Sequence, residues 1–345
     1  MWMKESLDQR KETILQAVIV EYVTTVEPVG SELLTQKYEL GVKAATVRNE
    51  LAELSDLGYI EQPHTSAGRI PSDLGYRYYV DFLVTPQSVD PNTRQRLKEA
   101  ATDGEALQTL LRDTVRSLSR ITQLLSVATT VRDADVVVKN AVLSALGPSK
   151  ALLVLILGNG HVENKMIDCP PGLSLEDVGR LNENLSQQLV GKSLRQLVRA
   201  KTPSSDLAPM DKLMGSVWSS LRACAKDLTR GSIISEGEEF MFGQPEFRRD
   251  ANILTELLRD LTDSEILYDA LSQPSGQPQA VTIGRENRHE GMHRLSVVRN
   301  AFFVGGQEAG VIALVGPTRM SYEVGMPLVG FTAKALSDSL TKYFG

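Results

Sequence analysis

The 345-residue chain is poor in the side chains that carry most chemistry, with two cysteines, four histidines and only 6% aromatics. Cys169 and Cys224 are too few for a disulfide framework or a zinc ribbon, and free thiols fit a reducing compartment. Long apolar runs are missing as well. The longest, Ala151-Leu-Leu-Val-Leu-Ile-Leu157, falls far short of the roughly 20 residues that span a bilayer. The N-terminus, Met-Trp-Met-Lys-Glu-Ser, has no apolar signal core. No membrane is therefore expected, and the cytoplasm is the expected location. Positive charge is not in excess: 37 basic against 43 acidic residues leave −6, which argues against a general polyanion-binding coat but not against a local one. No Ser-His-Asp or Cys-His arrangement has a defensible context, so no enzyme and no cofactor are expected. What remains is an ordinary globular composition, 42% hydrophobic and 23% charged, long enough for two or three domains at about 150 residues each.

The first segment, residues 1–84, reads as three short helices and a hairpin. Ser6 and Gln9 can form a capping box, after which Leu7, Ile14, Leu15, Val18, Ile19 and Tyr22 recur near helical spacing. Pro28 breaks that helix, and Ser31 can cap a second one carrying Leu33, Leu34 and Tyr38. Gly41 ends it. A third helix, about 44–57, has Val47, Leu51, Leu54 and Leu57 on one face. Residues 59–71, with the donor-rich Gln62-Pro-His-Thr-Ser-Ala-Gly-Arg69, predict a hairpin. This is the pattern of a winged helix-turn-helix. Burial of the third helix through its apolar face leaves Ala45, Thr46, Arg48 and Asn49 facing outward. Such helices present that end to base edges, where Asn reads adenine, Arg reads guanine or holds phosphate, and Thr or Ala touches a thymine methyl. The wing tip offers Thr65, Ser66, Arg69 and the backbone of Gly68 for phosphate or the minor groove. The alternative is a small structural core with these side chains merely solvated. One count opposes DNA: residues 1–84 hold eight basic and thirteen acidic side chains, a net of −5. Geometry must then place Lys43, Arg48 and Arg69 on one side and most acids behind.

Glu27-Pro-Val-Gly-Ser31, Ala45-Thr-Val-Arg-Asn49, Pro63-His-Thr-Ser-Ala-Gly-Arg-Ile-Pro71, Gly75-Tyr-Arg-Tyr-Tyr-Val-Asp81 and Gly316-Pro-Thr-Arg-Met320 follow one another in an order that resembles the heat-inducible transcription repressor family, HrcA. The chain departs from the family in having Lys43-Ala44 where a capping serine often stands, which removes a cap and adds a cation. The resemblance implies a repressor of chaperone operons that binds an inverted-repeat operator in double-stranded DNA as a homodimer. It also implies that a chaperonin modulates activity and that heat releases the repressor. DNA contacts are expected from Ser31, Lys43, Ala45, Thr46, Arg48, Asn49, His64, Thr65, Ser66 and Arg69.

Residues 85–130 read as a linker and a connecting helix, in which Leu107, Leu111, Val115, Leu118, Ile121 and Leu125 form a stripe. That stripe suits either its own domain or a dimer seam. Ala151–Gly158 and His161–Asp168 predict a hairpin around Asn159-Gly160. From Ser174 to about Arg230 the pattern is helical, with Leu181, Leu185 and Leu189, then Leu213, Val217 and Leu221. Strands are expected near Glu239–Phe242, Val281–Ile283, Leu295–Arg299, Ala301–Val304 and Val311–Val315, with a closing helix at Thr332–Phe344. By the resemblance, this is a GAF-like α/β domain in two parts, 131–172 and 232–345. A mostly helical inserted dimerisation domain occupies 173–231, and the fold class is α+β.

Three motifs invite other chemistry. His289-Glu-Gly-Met-His293 matches H-E-x-x-H, but Gly291 and the strand-like Leu295-Ser-Val-Val298 deny it a helix, and no metal is expected. Gly191-Lys-Ser193 lacks the first glycine of a phosphate-binding loop. Gly316-Pro-Thr-Arg-Met320 reads as a turn whose Arg319 pairs with a carboxylate. The readings from other classes are a zinc hydrolase using His289, Glu290 and His293, and a regulator whose C-terminal domain senses a small molecule in a polar-lined pocket.

Overall fold

The computed structural model describes residues 7–65, 67–102, 107–130, 134–147, 149–170, 174–204, 208–229, 231–248, 251–271 and 279–344. The chain is mixed α+β, with three antiparallel sheets among the described residues. Among the described residues, no helix is long and apolar enough to cross a membrane.

The head begins with α1 (Gln9–Thr25), whose N-cap is Asp8, accepting from the Lys11 amide. Ser6, expected in a capping box, lies outside the described residues. Helix α2 (Ser31–Lys37) starts after an N-cap at Gly30, so Ser31 is its first residue rather than its cap. Helix α3 (Ala44–Asp56) follows, then strands β1 (Ile60–Glu61) and β2 (Ile70–Pro71), paired antiparallel. Ile14, Leu15, Val18, Leu34, Val47, Leu51, Leu54 and Ile60 form the core of this unit, at the positions their spacing predicted. Helix α4 (Asp73–Tyr78), capped by Ser72, runs into a π-helical turn, Tyr79–Leu83. Gly75 of α4 sits where a Cβ would overlap the carbonyl oxygen of Tyr59.

Residues 85–130 are more than a linker. Helix α6 (Leu107–Thr122) packs onto strand β3 (Leu125–Thr130), and α5 (Pro91–Ala100) packs on α6. The α6 stripe is spent on its own domain, with Leu107, Leu111, Val115 and Leu118 in the core. Leu125, expected on the helix, opens the strand instead, after the chain reverses at Gln123 with φ of 55°.

The next segment is a separate layer. Strands β4 (Val138–Ala145), β5 (Lys150–Leu157) and β6 (Val162–Asp168) form their own three-stranded sheet. Helices α7 (Leu175–Leu189), α8 (Leu194–Val198) and α9 (Ala208–Leu228) cover one face of it. The hairpin expected in the first part of the GAF-like domain therefore pairs with the helical block, not with the larger sheet. Leu181, Leu185, Leu189, Leu213, Val217 and Leu221 are all buried in that core, so the stripes expected to supply a dimer contact are consumed within the chain.

Strand β7 (Ile233–Glu236) returns to the body, followed by α10 (Glu238–Phe242), α11 (Pro245–Arg248), α12 (Ala251–Thr262) and α13 (Ser264–Leu271). The strand expected near Glu239–Phe242 is thus a helix, entered through left-handed Gly237. Strands β8 (Gln279–Ile283), β9 (Leu295–Val304) and β10 (Gln307–Pro317) complete a sheet ordered β7-β3-β10-β9-β8. The two segments expected at Leu295–Arg299 and Ala301–Val304 are one strand. Alternation splits the strand side chains between two faces. Val298, Phe302, Ile312 and Leu314 join the core with α6 and α14 (Tyr322–Phe344), whereas Val297, Ala313 and Val315 meet Met241, Phe247 and Leu267 of α10, α11 and α13. Helix α14 starts ten residues before the expected closing helix. Its internal Pro327 has no N–H, which frees the Glu323 carbonyl, and the Gln87 amide of the chain leaving the head fills it at 2.8 Å.

The Gly75 contact and an open helical glycine make opposite predictions. Gly75→Ala should cost about 1–3 kcal/mol through overpacking against a backbone oxygen. Gly179→Ala, on exposed α7 with open space around it, should gain about 0.4–1 kcal/mol. Urea unfolding of both variants checks this, and equal effects would refute the packing argument.

Candidate nucleic-acid interface

Helix α3 buries Val47, Leu51 and Leu54 and exposes Lys43, Ala45, Arg48 and Asn49, with Thr46 half-exposed. Lys43 is the N-cap residue and makes no side-chain capping bond, so the positive end of the helix dipole stands open beside a cation. The hairpin tip is closed by Gln62, whose Nε2 donates to the carbonyls of Thr65 (3.0 Å) and Ala67 (2.9 Å). His64 and Thr65 are exposed there; Ser66 lies outside the described residues.

Two sequence segments that are far apart in the chain are joined at this point. Val29 and Arg69 exchange backbone hydrogen bonds of 2.9 and 2.8 Å. The close approach requires Gly68, where a Cβ would meet the Val29 carbonyl group at 2.6 Å. The result is a cleft of about 410 Å³ lined by Ser31, Glu32, Arg48, Gln62, Thr65 and Arg69, among others. Arg69 belongs to the base of the hairpin rather than to its tip. Its Nε is buried and has no hydrogen-bond partner. Lys43, Ala45, Thr46 and Asn49 lie on α3 outside that lining, and His64 stands at the tip. Gln62 was not singled out from the sequence, and Gly68 only for its backbone at the wing tip. A lone amide and a lone turn glycine carry no periodic signal.

Several of the head's acids are held in ion pairs outside the cleft lining. Lys11 Nζ sits 2.9 Å from Asp8, 3.0 Å from Glu50 and 2.9 Å from Glu53, and its pKa is raised by the Asp8 contact first and then by the two glutamates. Buried Glu21 pairs with Lys37 at 2.7 Å and accepts from the Tyr38 hydroxyl at 2.8 Å. Glu32, by contrast, lines the cleft itself.

The other motifs resolve into structure. Glu290–Met292 is a single 3-10 turn with Met292 fully buried. His289 lies 3.3 Å from Asp269, whereas the His293 ring contacts the Asn287 carbonyl at 3.1 Å, so the two imidazoles serve different partners. Among the described residues, no three His, Cys, Asp or Glu side chains cluster as metal ligands. Arg319 of Gly316-Pro-Thr-Arg-Met320 does pair with a carboxylate, that of Glu246.

Glu21 gives the head a pH signature. Lys37 foremost, with the Tyr38 hydroxyl, holds its carboxyl below the ordinary value of 4.5, against the opposing effect of burial. A folded pKa below the unfolded one contributes stability that is complete above the unfolded value and lost as pH falls through the folded one. Glu21→Gln should therefore flatten the decline of unfolding free energy between about pH 5 and pH 3. An unchanged acid slope in urea titrations would refute it.

Residues 108–326 match the family described as HrcA protein C terminal domain. The chain is 34% identical to the heat-inducible transcription repressor HrcA of Moorella thermoacetica, over 98% of this chain and 99% of that one. It is 35% identical to the repressor of the same name from Symbiobacterium thermophilum, over 96% and 98%. A crystal structure at 2.2 Å, described only as a hypothetical protein, shares the fold with a TM-score of 0.71 at 20% identity, covering 98% of this chain and 99% of that one. The chain therefore belongs to the HrcA family of heat-inducible transcription repressors.

Proposed function

We propose that this repressor reads an inverted-repeat operator of chaperone genes as a cytoplasmic homodimer, through a winged helix-turn-helix at residues 1–84. The observation that carries the reading is the convergence of Arg48 and Arg69 on a cleft beside the exposed end of α3. Two guanidinium groups beside a helix N-terminus suit phosphate oxygens, which accept charge-assisted hydrogen bonds. Asn49, Arg48, Thr46 and Ala45 meet base edges, Lys43, Thr65 and Arg69 hold the backbone, and Ser31, His64 and Ser66 flank them. The head's acidic balance is compatible with this because Asp8, Glu21, Glu50 and Glu53 are engaged by Lys11 and Lys37. Family membership supports the chaperonin as modulator.

The domain division follows the sheets. The GAF-like body comprises residues 85–130 together with the segment from 231 onward, and the inserted unit takes in the three strands β4–β6 with α7–α9. The dimer contact moves accordingly, from the helices to the uncovered face of that sheet. Cross-strand rows on this face read Asn140–Ile156–Val162, Val142–Val154–Asn164 and Ser144–Leu152–Met166. Val142 and Met166 are 37% and 51% exposed, and Leu146 beyond them is 58% exposed. A second copy of the same face is the occupant that two-fold operator symmetry requires.

Two measurements test these assignments. Asn49→Ala should lose about 1–3 kcal/mol on the operator and little on random DNA, whereas Arg69→Ala should weaken both similarly and reduce the salt slope by about one unit. Affinity for both DNAs across a salt series decides, and the reversed pattern would sink the division of labour. Val154→Glu, at the centre of the sheet face, should convert the dimer to a folded monomer in sedimentation. A persistent dimer would place the contact elsewhere.

A further inference from the structure

The Gly316–Met320 turn is used by nothing described so far, yet its arginine reaches across the chain to the head. Arg319 Nε and Nη2 engage the two carboxylate oxygens of Glu246, Nη2 also donates to Gln244 Oε1 at 2.8 Å, and Nη1 points to the carbonyl of Val23 at 3.4 Å. Val23 lies in the last turn of α1, where carbonyls have no intrahelical donor. The N–H that would continue the helix, that of Glu27, turns instead to the Thr25 hydroxyl. Helix α1 has no basic residue in its own last turn, so a cation 296 residues away supplies the charge its C-terminal dipole calls for. The next residue but two, Val26, is held at φ of 58°, a left-handed conformation that a β-branched residue keeps only when its surroundings impose it.

A second anchor lies on α4. Arg77 grips both Glu286 oxygens and the Val281 carbonyl, and Asp73 accepts from the Arg285 amide at 2.9 Å. Between the anchors, Tyr76 packs on Tyr322 with ring centroids 6.1 Å apart. Apolar contact of this kind holds without directing, whereas guanidinium–carboxylate forks fix an angle. The Arg77 fork crosses from head to body and alone would leave a pivot; the Arg319–Glu246 fork lies within the body and holds Arg319 Nη1 against the Val23 carbonyl, a second point of attachment that removes it.

We infer that Arg319 is a positioning residue which, with Arg77, fixes the angle of the DNA-reading head on the body and thereby sets which spacing between the two half-sites the dimer accepts. The inference rests on the DNA-reading function proposed above. The partner it specifies is a duplex with a single rotational offset between half-sites, not a base sequence.

The test uses the full chain as wild type, Arg319→Ala, Arg319→Lys and Glu246→Gln, in two measurements. Without DNA, hydrogen exchange at the amides of Val26 and Glu27 should accelerate about tenfold in Arg319→Ala, with α3 and β10 unchanged. Unchanged exchange overturns the inference, and so does acceleration throughout α1–α3, which would make Arg319 a support of the head's own fold. With DNA, affinity is measured for one half-site and for inverted repeats whose spacer is two base pairs too long or too short, an offset of about 70°. Wild type should lose at least about tenfold on either wrong spacer, and Arg319→Ala less than about threefold, with single half-site affinity within about twofold of wild type. Glu246→Gln should shift the profile in the same direction, and Arg319→Lys should fall between. A folded Arg319→Ala that keeps the wild-type spacing profile, or loses half-site affinity in proportion, overturns the proposal. Failure of wild type to bind either DNA would instead refute the DNA reading, leaving the exchange result to decide the clamp.

Discussion

Tyr76 and Tyr322 are the hinge pin of this structure. Their contact carries the apolar core of the head, from Ile14 to Leu54, continuously into the core between the five-stranded sheet and α14. Tyr322 is itself pinned, its hydroxyl 2.6 Å from Ser296 on β9 and donating to the Thr318 carbonyl at 2.6 Å. Tyr76 is placed by α4, and α4 can approach only because Gly75 has no side chain to strike Tyr59. The Tyr76 hydroxyl is buried without a partner, a cost of about 1–3 kcal/mol. An aromatic pair contributes about 0.5–1.5 kcal/mol beyond the area it buries, so burial of the ring itself must carry the contact. Head and body therefore behave as one cooperative mass at this seam, while the three-stranded unit keeps a core of its own.

The head was the part of the fold most legible in the sequence. Apolar steps of three and four marked α1 and α3 because those helices have one buried face each, and the alternation of Gly and Pro marked the hairpin. The candidate interface was legible for the same reason: once Val47, Leu51 and Leu54 face inward, Arg48 and Asn49 have to face out. The cleft behind it was not. It exists because Gly68 lets the hairpin touch Val29, a contact between segments 40 residues apart that no periodicity encodes.

The body was harder to read. Strand β3 is buried along its whole length, so Leu125-Ser-Val-Ala-Thr-Thr130 shows no alternation, and Leu125 continued the helical stripe of α6. The break falls at Gln123, a residue type that gives no hint of a left-handed turn. The hairpin at Asn159-Gly160 was correctly placed, but which sheet it joined was decided by β4. That strand alternates irregularly because its register shifts between Val138 and Asn140. Sheet membership is a long-range property, and local pattern constrains it weakly.

Pro327 has a consequence for how such repressors can be recombined. By denying α14 one hydrogen bond, it leaves the Glu323 carbonyl as a docking peg for the Gln87 amide, and the Glu323 carboxylate accepts from Gln87 Nε2 at 3.2 Å as well. The number of residues between the last turn of the head and that peg is thus written into the body's final helix. A chimera that grafts a foreign head onto this body must be cut at Gln87, in phase with the peg. A junction shifted by one residue would leave the peg empty and turn the grafted head on its stem.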